Sequence, residues 1–207
     1  MKKIDIRKLP GKEAQVILKK VLDYDPESGV FTWTESRGSV RKGDSAGHLM
    51  NRGYIHIGVH GYSVYAHRLA WLFMKGDWPQ YEIDHSNHIA NDNSFKNLRE
   101  VTRREQMNNI SKPSNNTSGT IGVSFSKCRE KWGAHIGIKG VKIYLGEFKE
   151  KEAAIEARKA AEIKYGFHQN HGIEKKPLLK NKINAKGVDK QSGKYRARVF
   201  FEKKKSI

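Results

Sequence analysis

Asp84 and His85 stand side by side after Tyr81-Glu82-Ile83 and open a polar loop from Ser86 to Lys96 that carries Asn87, His88, Asn91, Asp92 and Asn93. The loop leads into Asn97-Leu98-Arg99-Glu100-Val101-Thr102 and then a helical run, Arg103-Arg104-Glu105-Gln106-Met107-Asn108-Asn109. A carboxylate beside an imidazole suits metal-assisted hydrolysis of a phosphodiester. The hard carboxylate oxygens bind a hard divalent ion such as Mg²⁺. The imidazole takes a proton from water near neutral pH. The ion stabilises the leaving 3′ oxygen and the charge that develops on phosphorus. Asparagine side chains add neutral oxygen ligands and fix loops. An Asp-His pair alone says little. The weight lies in the set: the pair, the Asn-rich loop, Asn97 thirteen residues after Asp84, Thr102, and an amide-rich helix start.

The other histidines have plainer readings. His67, next to Arg68 at the start of an apolar helix, reads as a structural or supporting residue. His88 reads as a solvated loop residue. His48, His56, His60, His168 and His171 show no partner pattern. The single cysteine, Cys128, rules out an intrachain disulfide framework and any multi-cysteine zinc site.

The elements that must position this chemistry are legible from periodicity. Residues 10–22 have a helical apolar rhythm through Val16, Ile17, Val21 and Leu22. Asp25-Pro26-Glu27-Ser28-Gly29 is a turn before a strand, Val30-Phe31-Thr32-Trp33. Residues 53–59 alternate with period two, and His60-Gly61 turns them into Tyr62-Ser63-Val64-Tyr65. Ala66 to Met74 reads as a helix with Leu69, Leu72 and Phe73 facing a core, ended by Asp77-Trp78-Pro79.

Residues 111–120 hold Ser, Asn, Thr and Gly and little to bury, so a linker is expected there. Beyond it come three strand-like pieces, 122–126, 132–138 and 142–148, and an Ala- and Glu-rich helix over 150–165 stopped by Gly166. Gly187-Val188 with Lys194-Tyr195-Arg196-Ala197-Arg198-Val199-Phe200-Phe201 repeats Gly122-Val123 with the run from Lys131 to Ile138. This second copy is expected to lack its third strand and its helix, leaving a marginal hairpin.

The 207 residues carry 40 Lys and Arg against 22 Asp and Glu, a net charge of +18. A field of that sign favours a polyanion, nucleic acid foremost. Residues 171–207 hold 12 basic and 3 acidic residues, so half of the excess lies in that stretch, which reads as a DNA contact surface. No apolar run approaches the length of a membrane span. The start lacks the apolar stretch of a signal peptide, so a cytoplasmic setting is expected.

The Asp84-His85 set, with Ala66-His67-Arg68-Leu69-Ala70-Trp71 before it, resembles the HNH endonucleases of the phage and intron-borne homing branch. The likeness spans residues 20–110 or so. It implies a strand–loop–strand–helix ββα-metal core, with His85 as general base, Asp84 as metal ligand and Asn97 pinning the loop and orienting the base. The family's third position is usually Asn, acting as a second metal ligand. Here the matching residue is Gln106, which offers the same amide oxygen on a longer stem, with Glu105 and Asn109 as substitutes. The implied cofactor is a divalent ion, Mg²⁺ or Mn²⁺. The implied partner is double-stranded DNA, cut by a monomer that nicks, with no protein partner or membrane, in the cytoplasm of a bacterial host and encoded by a phage or intron.

Residues 118–166 resemble the plant Apetala-two/ethylene-response-factor DNA-binding fold, through Ser118-Gly119, Gly122-Val123, Trp132, Ala134, Ile136, Tyr144-Leu145-Gly146, Phe148 and the alanines of the helix. The resemblance implies a sheet laid in the major groove. With Ala134, Ile136 and Ile138 facing the core, Gly133, His135, Gly137 and Lys139 face DNA. Lys127, Arg129, Lys131 and Lys142 extend that surface, as do Arg196 and Arg198 in the second copy. The expected architecture is therefore α+β. An HNH domain occupies residues 1–110, with N-terminal antiparallel strands leading into the ββα-metal core. A linker covers 111–120, a three-stranded antiparallel sheet packed on one helix covers 121–170, and a basic tail with a truncated repeat covers 171–207. The alternative is a DNA-binding descendant of such an enzyme with weak or no catalysis, and a ribosome-associated basic protein is a third reading.

Overall fold

The computed structural model describes residues 4–180 and, as backbone alone, Lys186–Val188 and Ala197–Arg198. The fold is mixed α and β, with small antiparallel sheets and four helices. Its residues divide into two compact units. The first takes the chain up to His85, Ile89–Glu100 and the chain from Pro177, and the second takes Ser86–His88 and Val101–Lys176.

In the first unit, α1 (Gly11–Val21) buries Ala14, Leu18 and Val21 on one stripe. Its polarity suits the helix dipole, with Glu13 in the first turn and Lys19 and Lys20 in the last. The helix ends earlier than its apolar rhythm suggests. Leu22 is extended and begins β1 (Leu22–Asp25), which pairs antiparallel with β2 (Val30–Trp33), Leu22 opposite Trp33 and Asp25 opposite Val30. Leu22 thus continues the buried stripe of α1 while starting a strand, which hides the boundary. The Asp25 carboxylate accepts from the backbone N–H groups of Glu27 and Ser28 and closes the turn.

Next come β3 (His48–Leu49), β4 (Ile55–Val59) and β5 (Tyr62–Tyr65), a three-stranded antiparallel sheet. Ile55, Ile57 and Val59 alternate inward, as the period of two requires. α2 (Ala66–Lys75) buries Ala66, Leu69, Ala70 and Leu72, and Gly76 ends it in a left-handed cap. Then β6 (Glu82–His85) pairs with β7 (Leu98–Val101). One core joins α1, the strands and α2 through Leu18, Leu22, Ile57, Leu69 and Leu72, with Ile83 and Leu98 from the β6–β7 pair.

The second unit begins its helices with α3 (Arg103–Met107), started by a capping box: Thr102 Oγ1 accepts from Glu105 N, and the Glu105 carboxylate accepts from Thr102 N. Its sheet runs β8 (Val123–Ser126), β9 (Lys131–Ile138), β10 (Val141–Phe148), all antiparallel, and α4 (Lys151–Lys164) packs on it. Val123, Ala134 and Ala154 form a small core flanked by Trp132, Leu145, Phe148 and Ile155. The alanines of α4 bring helix and sheet close, as their spacing suggests. That helix also buries a charge. Arg158 donates to Glu162 Oε1 at 2.9 Å, to the His135 carbonyl at 2.8 Å and to His171 Nε2 at 3.2 Å.

The strand–loop–strand–helix order expected after residue 81 is present as β6, β7 and α3. The division into units departs from the expected linker. Residues 108–112 are paired with the chain that follows α4: His168 N donates to Asn108 O, Gly172 N to Ile110 O and Lys112 N to Ile173 O. The compact second unit therefore includes α3 and residues 111–120 along with the sheet and α4. A polar stretch that has little to bury still has backbone groups to satisfy, and here the returning chain and the side chains of Asn116 and Ser118 satisfy them. β11 (Lys186–Val188) and β12 (Ala197–Arg198) pair antiparallel, Lys186 opposite Arg198. The remainder of the expected second copy, Arg196 included, lies outside the described residues.

Candidate active site

The site grows from the end of β6. Strand alternation turns Ile83 and His85 inward and leaves Asp84 half-buried on the other side. Asp84 Oδ2 accepts from both Nε and Nη2 of Arg99 on the paired strand β7, at 3.1 and 2.7 Å. His85 is only 5% exposed. Its Nε2 hydrogen-bonds Asn93 Oδ1 at 3.1 Å. Burial pushes the His85 imidazole below its ordinary pKa, against the opposing pull of the Asn93 bond and the carboxylates of Asp84 and Asp92. Burial thus favours the neutral ring, the form of an imidazole that can accept a proton.

The loop that supplies Asn93 is closed on itself. Asn97 Nδ2 donates to the Asp92 carbonyl at 2.8 Å, and Ser94 Oγ donates to the Asp92 carboxylate at 2.8 Å. Asn97 thus ties its own position to Asp92 across the loop. The hydrogen bond to the imidazole comes from Asn93, which the sequence offered only as one of several loop asparagines.

The structure gathers Asp84, His85 and Asn97 in the first unit, and Gln106 belongs to α3 in the second. Two residues considered as substitutes for Gln106 have other engagements. The Glu105 carboxylate is held in the capping box, and Asn109 Oδ1 meets His88 Nε2 at 2.7 Å. The Gln106 side chain makes no such hydrogen bond among the described residues. His88 is not the free loop residue it resembled, because its second ring nitrogen meets Ser111 Oγ at 3.0 Å.

His67 supports the site from α2. Its ring meets His85 edge to face at 5.2 Å between centroids and stacks on Tyr65 at 5.1 Å, and Tyr54 lies against both histidines. Burial, chiefly, drives the His67 pKa down to about 3. This depressed value has a stability consequence. Between pH 6.5 and about 3, the unfolded chain binds a proton at His67 that the folded chain refuses. Stability from this group is complete above the ordinary value and falls as pH drops, by about 1.4 kcal/mol per pH unit. His67→Phe keeps a flat ring and should remove that slope. Urea midpoints at pH 7 and pH 5 check it, and an unchanged pH dependence would contradict the assignment.

Residues 64–108 match the HNH endonuclease family. These residues form an HNH endonuclease domain. The match holds Asp84, His85, Asn97 and Gln106 and starts within β5. The chain is also 35% identical to Protein 3.8 of Escherichia phage T7 over 75 residues, 36% of this chain and 62% of that relative. No solved structure matches the chain.

Among the described residues no group of three or more His, Cys, Asp or Glu side chains could hold a metal ion. The donor set of the HNH domain still fits a hard divalent ion. Mg²⁺ keeps several waters and takes one or two carboxylates plus substrate phosphate oxygens, and Asp84 supplies a hard carboxylate that is 13% exposed.

The sheet of the second unit has two distinct faces. Ala134 and Ile136 are buried toward α4, and Gly137 is exposed on the opposite face. Register places Ser124 opposite Gly133, Lys142 opposite Gly137 and Tyr144 opposite His135 on that outer face. Its centre is small-residue backbone, bordered by Lys131, Lys142 and the exposed ring of Tyr144. Lys127 and Arg129 lie in the β8–β9 turn, where Arg129 is ion-paired with Glu147. Lys139 lies in the β9–β10 turn with a left-handed backbone. Among the described residues, no helix is long and apolar enough to cross a membrane.

Proposed function

We propose that the protein is a metal-dependent DNA endonuclease of the homing type that hydrolyses phosphodiester bonds, one strand at a time. The observation that carries this reading is the buried His85 imidazole, hydrogen-bonded to Asn93 and next in sequence to the Asp84 carboxylate, within a segment that matches the HNH endonuclease family. His85 takes a proton from the attacking water. Asp84 holds a divalent ion, Mg²⁺ or Mn²⁺, and Gln106 is the second ligand that the motif order implies. When bound, the ion stabilises charge on the phosphate and the leaving oxygen. Asn97 keeps the loop closed around the base.

Double-stranded DNA is held by the outer face of the β8–β10 sheet, in the manner of the Apetala-two fold. Lys127, Lys131, Lys139 and Lys142 position it through phosphate contacts, as Arg129 does when DNA competes with Glu147. His135 meets the groove between them. Arg196 and Arg198, whose side chains lie outside the described residues, are phosphate contacts proposed from the sequence alone. The protein acts as a monomer on DNA in the cytoplasm of a bacterial host.

The test is supercoiled-plasmid nicking. The parent chain should nick with Mg²⁺ and be silent with EDTA, and Asp84→Ala should lose the Mg²⁺-dependent activity. Equal nicking by parent and Asp84→Ala would refute the metal site. A parent that binds its DNA tightly but never cuts it would favour a binding-only descendant, a reading that Gln106 in place of Asn favours.

A further inference from the structure

The buried amide of Asn93 touches His85 on one side and the N-terminal hairpin on the other. Its Oδ1 meets His85 Nε2 at 3.1 Å. Its backbone carbonyl accepts from Tyr24 Oη at 2.7 Å, from the middle of β1. Tyr24 is itself fixed by Phe31, at 4.6 Å between ring centroids, and by Phe73. The tip of the same hairpin lies on the next peptide. A Cβ at Gly29 would come within 2.2 Å of Asn93 C and Ser94 N, and the φ of +73° there already favours glycine. Phe95 N donates to the Pro26 carbonyl at 2.8 Å, and Lys96 reaches Glu27. The hairpin therefore grips the loop at residues 93, 95 and 96. Tyr24, Pro26, Glu27 and Gly29 all lie outside the matched segment 64–108.

The chemistry of Asn93 makes this grip more than packing. Asn93 is 1% exposed, and its Nδ2 makes no hydrogen bond among the described residues. A buried, unpaired donor costs stability. A purely structural position would favour an apolar side chain of the same shape. The amide is explained by its other atom, Oδ1, which can only accept and so pairs with the ring as its Nε2–H tautomer. With Nε2 so engaged, Nδ1 is the ring atom left to accept a proton from water, and the ring plane is set by the hydrogen bond.

We infer that the β1–β2 hairpin sets the orientation of the His85 imidazole through Asn93, making Asn93 and Tyr24 positioning residues for the proposed cleavage. The inference rests on the reading of His85 as general base. The hydrogen bond and the grip can be tested apart from it.

The experiment uses the full chain and three variants: Asn93→Leu, Asn93→Asp and Tyr24→Phe. Leucine keeps the shape of asparagine and removes the acceptor, and aspartate restores an acceptor. Two-dimensional ¹H–¹⁵N spectra of the histidine rings report the His85 Nε2 proton without any cleavage. In the parent that proton should be hydrogen-bonded and slow to exchange. It should shift and exchange faster in Asn93→Leu, and return in Asn93→Asp. In Mg²⁺-dependent nicking, Asn93→Leu should lower kcat by about 10–100-fold with KM and thermal midpoint held. Asn93→Asp should recover most of that loss, and Tyr24→Phe should lose several-fold in kcat.

Unchanged His85 ring signals in Asn93→Leu overturn the inference, whatever the cleavage result. So does a kcat equal to the parent's in both Asn93→Leu and Tyr24→Phe. Ring signals that respond as described in a chain that never cuts DNA uphold the positioning role and sink the nuclease reading instead. Should Asn93→Leu fail to fold, Tyr24→Phe decides through the same ring signals, because it deletes one hydroxyl and leaves the ring packing in place.

Discussion

His85→Ala should lower Mg²⁺-dependent nicking of plasmid DNA by about 10²–10⁴-fold, the usual contribution of a general base, and leave DNA affinity at the parental level. Burial favours the neutral form of this imidazole, and a neutral imidazole is the form that accepts a proton. Alanine removes that acceptor and also leaves the Asn93 Oδ1 without its partner. Some local loosening will accompany it, because His67 and Tyr54 both lean on the His85 ring. His85→Gln separates the two effects, since glutamine fills much of the space and cannot take the proton. Both variants should therefore be silent in nicking, and His85→Gln should melt closer to the parent. Binding measured by fluorescence anisotropy should stay unchanged, because the DNA surface proposed here lies on the β8–β10 sheet. Parental nicking by either variant would place the base elsewhere.

The elements that hold this base were legible to different depths, and the differences have physical causes. Asp84-His85 and Asn97 stand out because their types and spacing are local. The sheet β4–β5 and the sheet β8–β10 stand out because period-two burial writes itself into the sequence. Asn93 does not stand out. Which of the loop asparagines meets the imidazole depends on Asp92 and Asn97 closing the loop and on Tyr24, 69 residues away in the chain, holding it. The start of β1 was hidden for a related reason, because Leu22 fits both the end of a buried helical stripe and the start of a strand. The stretch from residue 111 to 120 differs in a third way. Its composition says that it buries little, which is true, but composition is silent about where its backbone hydrogen bonds go.

Arg158→Met should destabilise the second unit by about 3–5 kcal/mol, the range for breaking one side of a buried ion pair. Arg158 is 3% exposed and Glu162 is 7% exposed, so neither charge has water to fall back on. Arg158 also satisfies the His135 carbonyl of β9 and donates to His171, which burial pushes down to about 4 and so keeps neutral as an acceptor. Three segments distant in sequence, β9, α4 and the chain after it, thus share one guanidinium. The loss should lie toward the lower bound, because Lys159 still reaches Glu162 Oε2 at 2.8 Å. Trp132 fluorescence during urea unfolding reports this unit once Trp33, Trp71 and Trp78 of the first unit are replaced by phenylalanine, since the Trp132 ring packs against the sheet–helix core. A change within about 1 kcal/mol, the scale of an exposed pair, would sink the prediction. Arg158→Met combined with Glu162→Leu should cost less than Arg158→Met alone, because the uncompensated carboxylate goes with the guanidinium. The outer face of the sheet depends on the same contact. The His135 carbonyl that Arg158 holds belongs to the residue whose side chain faces the proposed groove contact. Arg158→Met should therefore weaken DNA binding even where the unit remains folded, and the double variant, which lacks that hydrogen bond too, should not restore it.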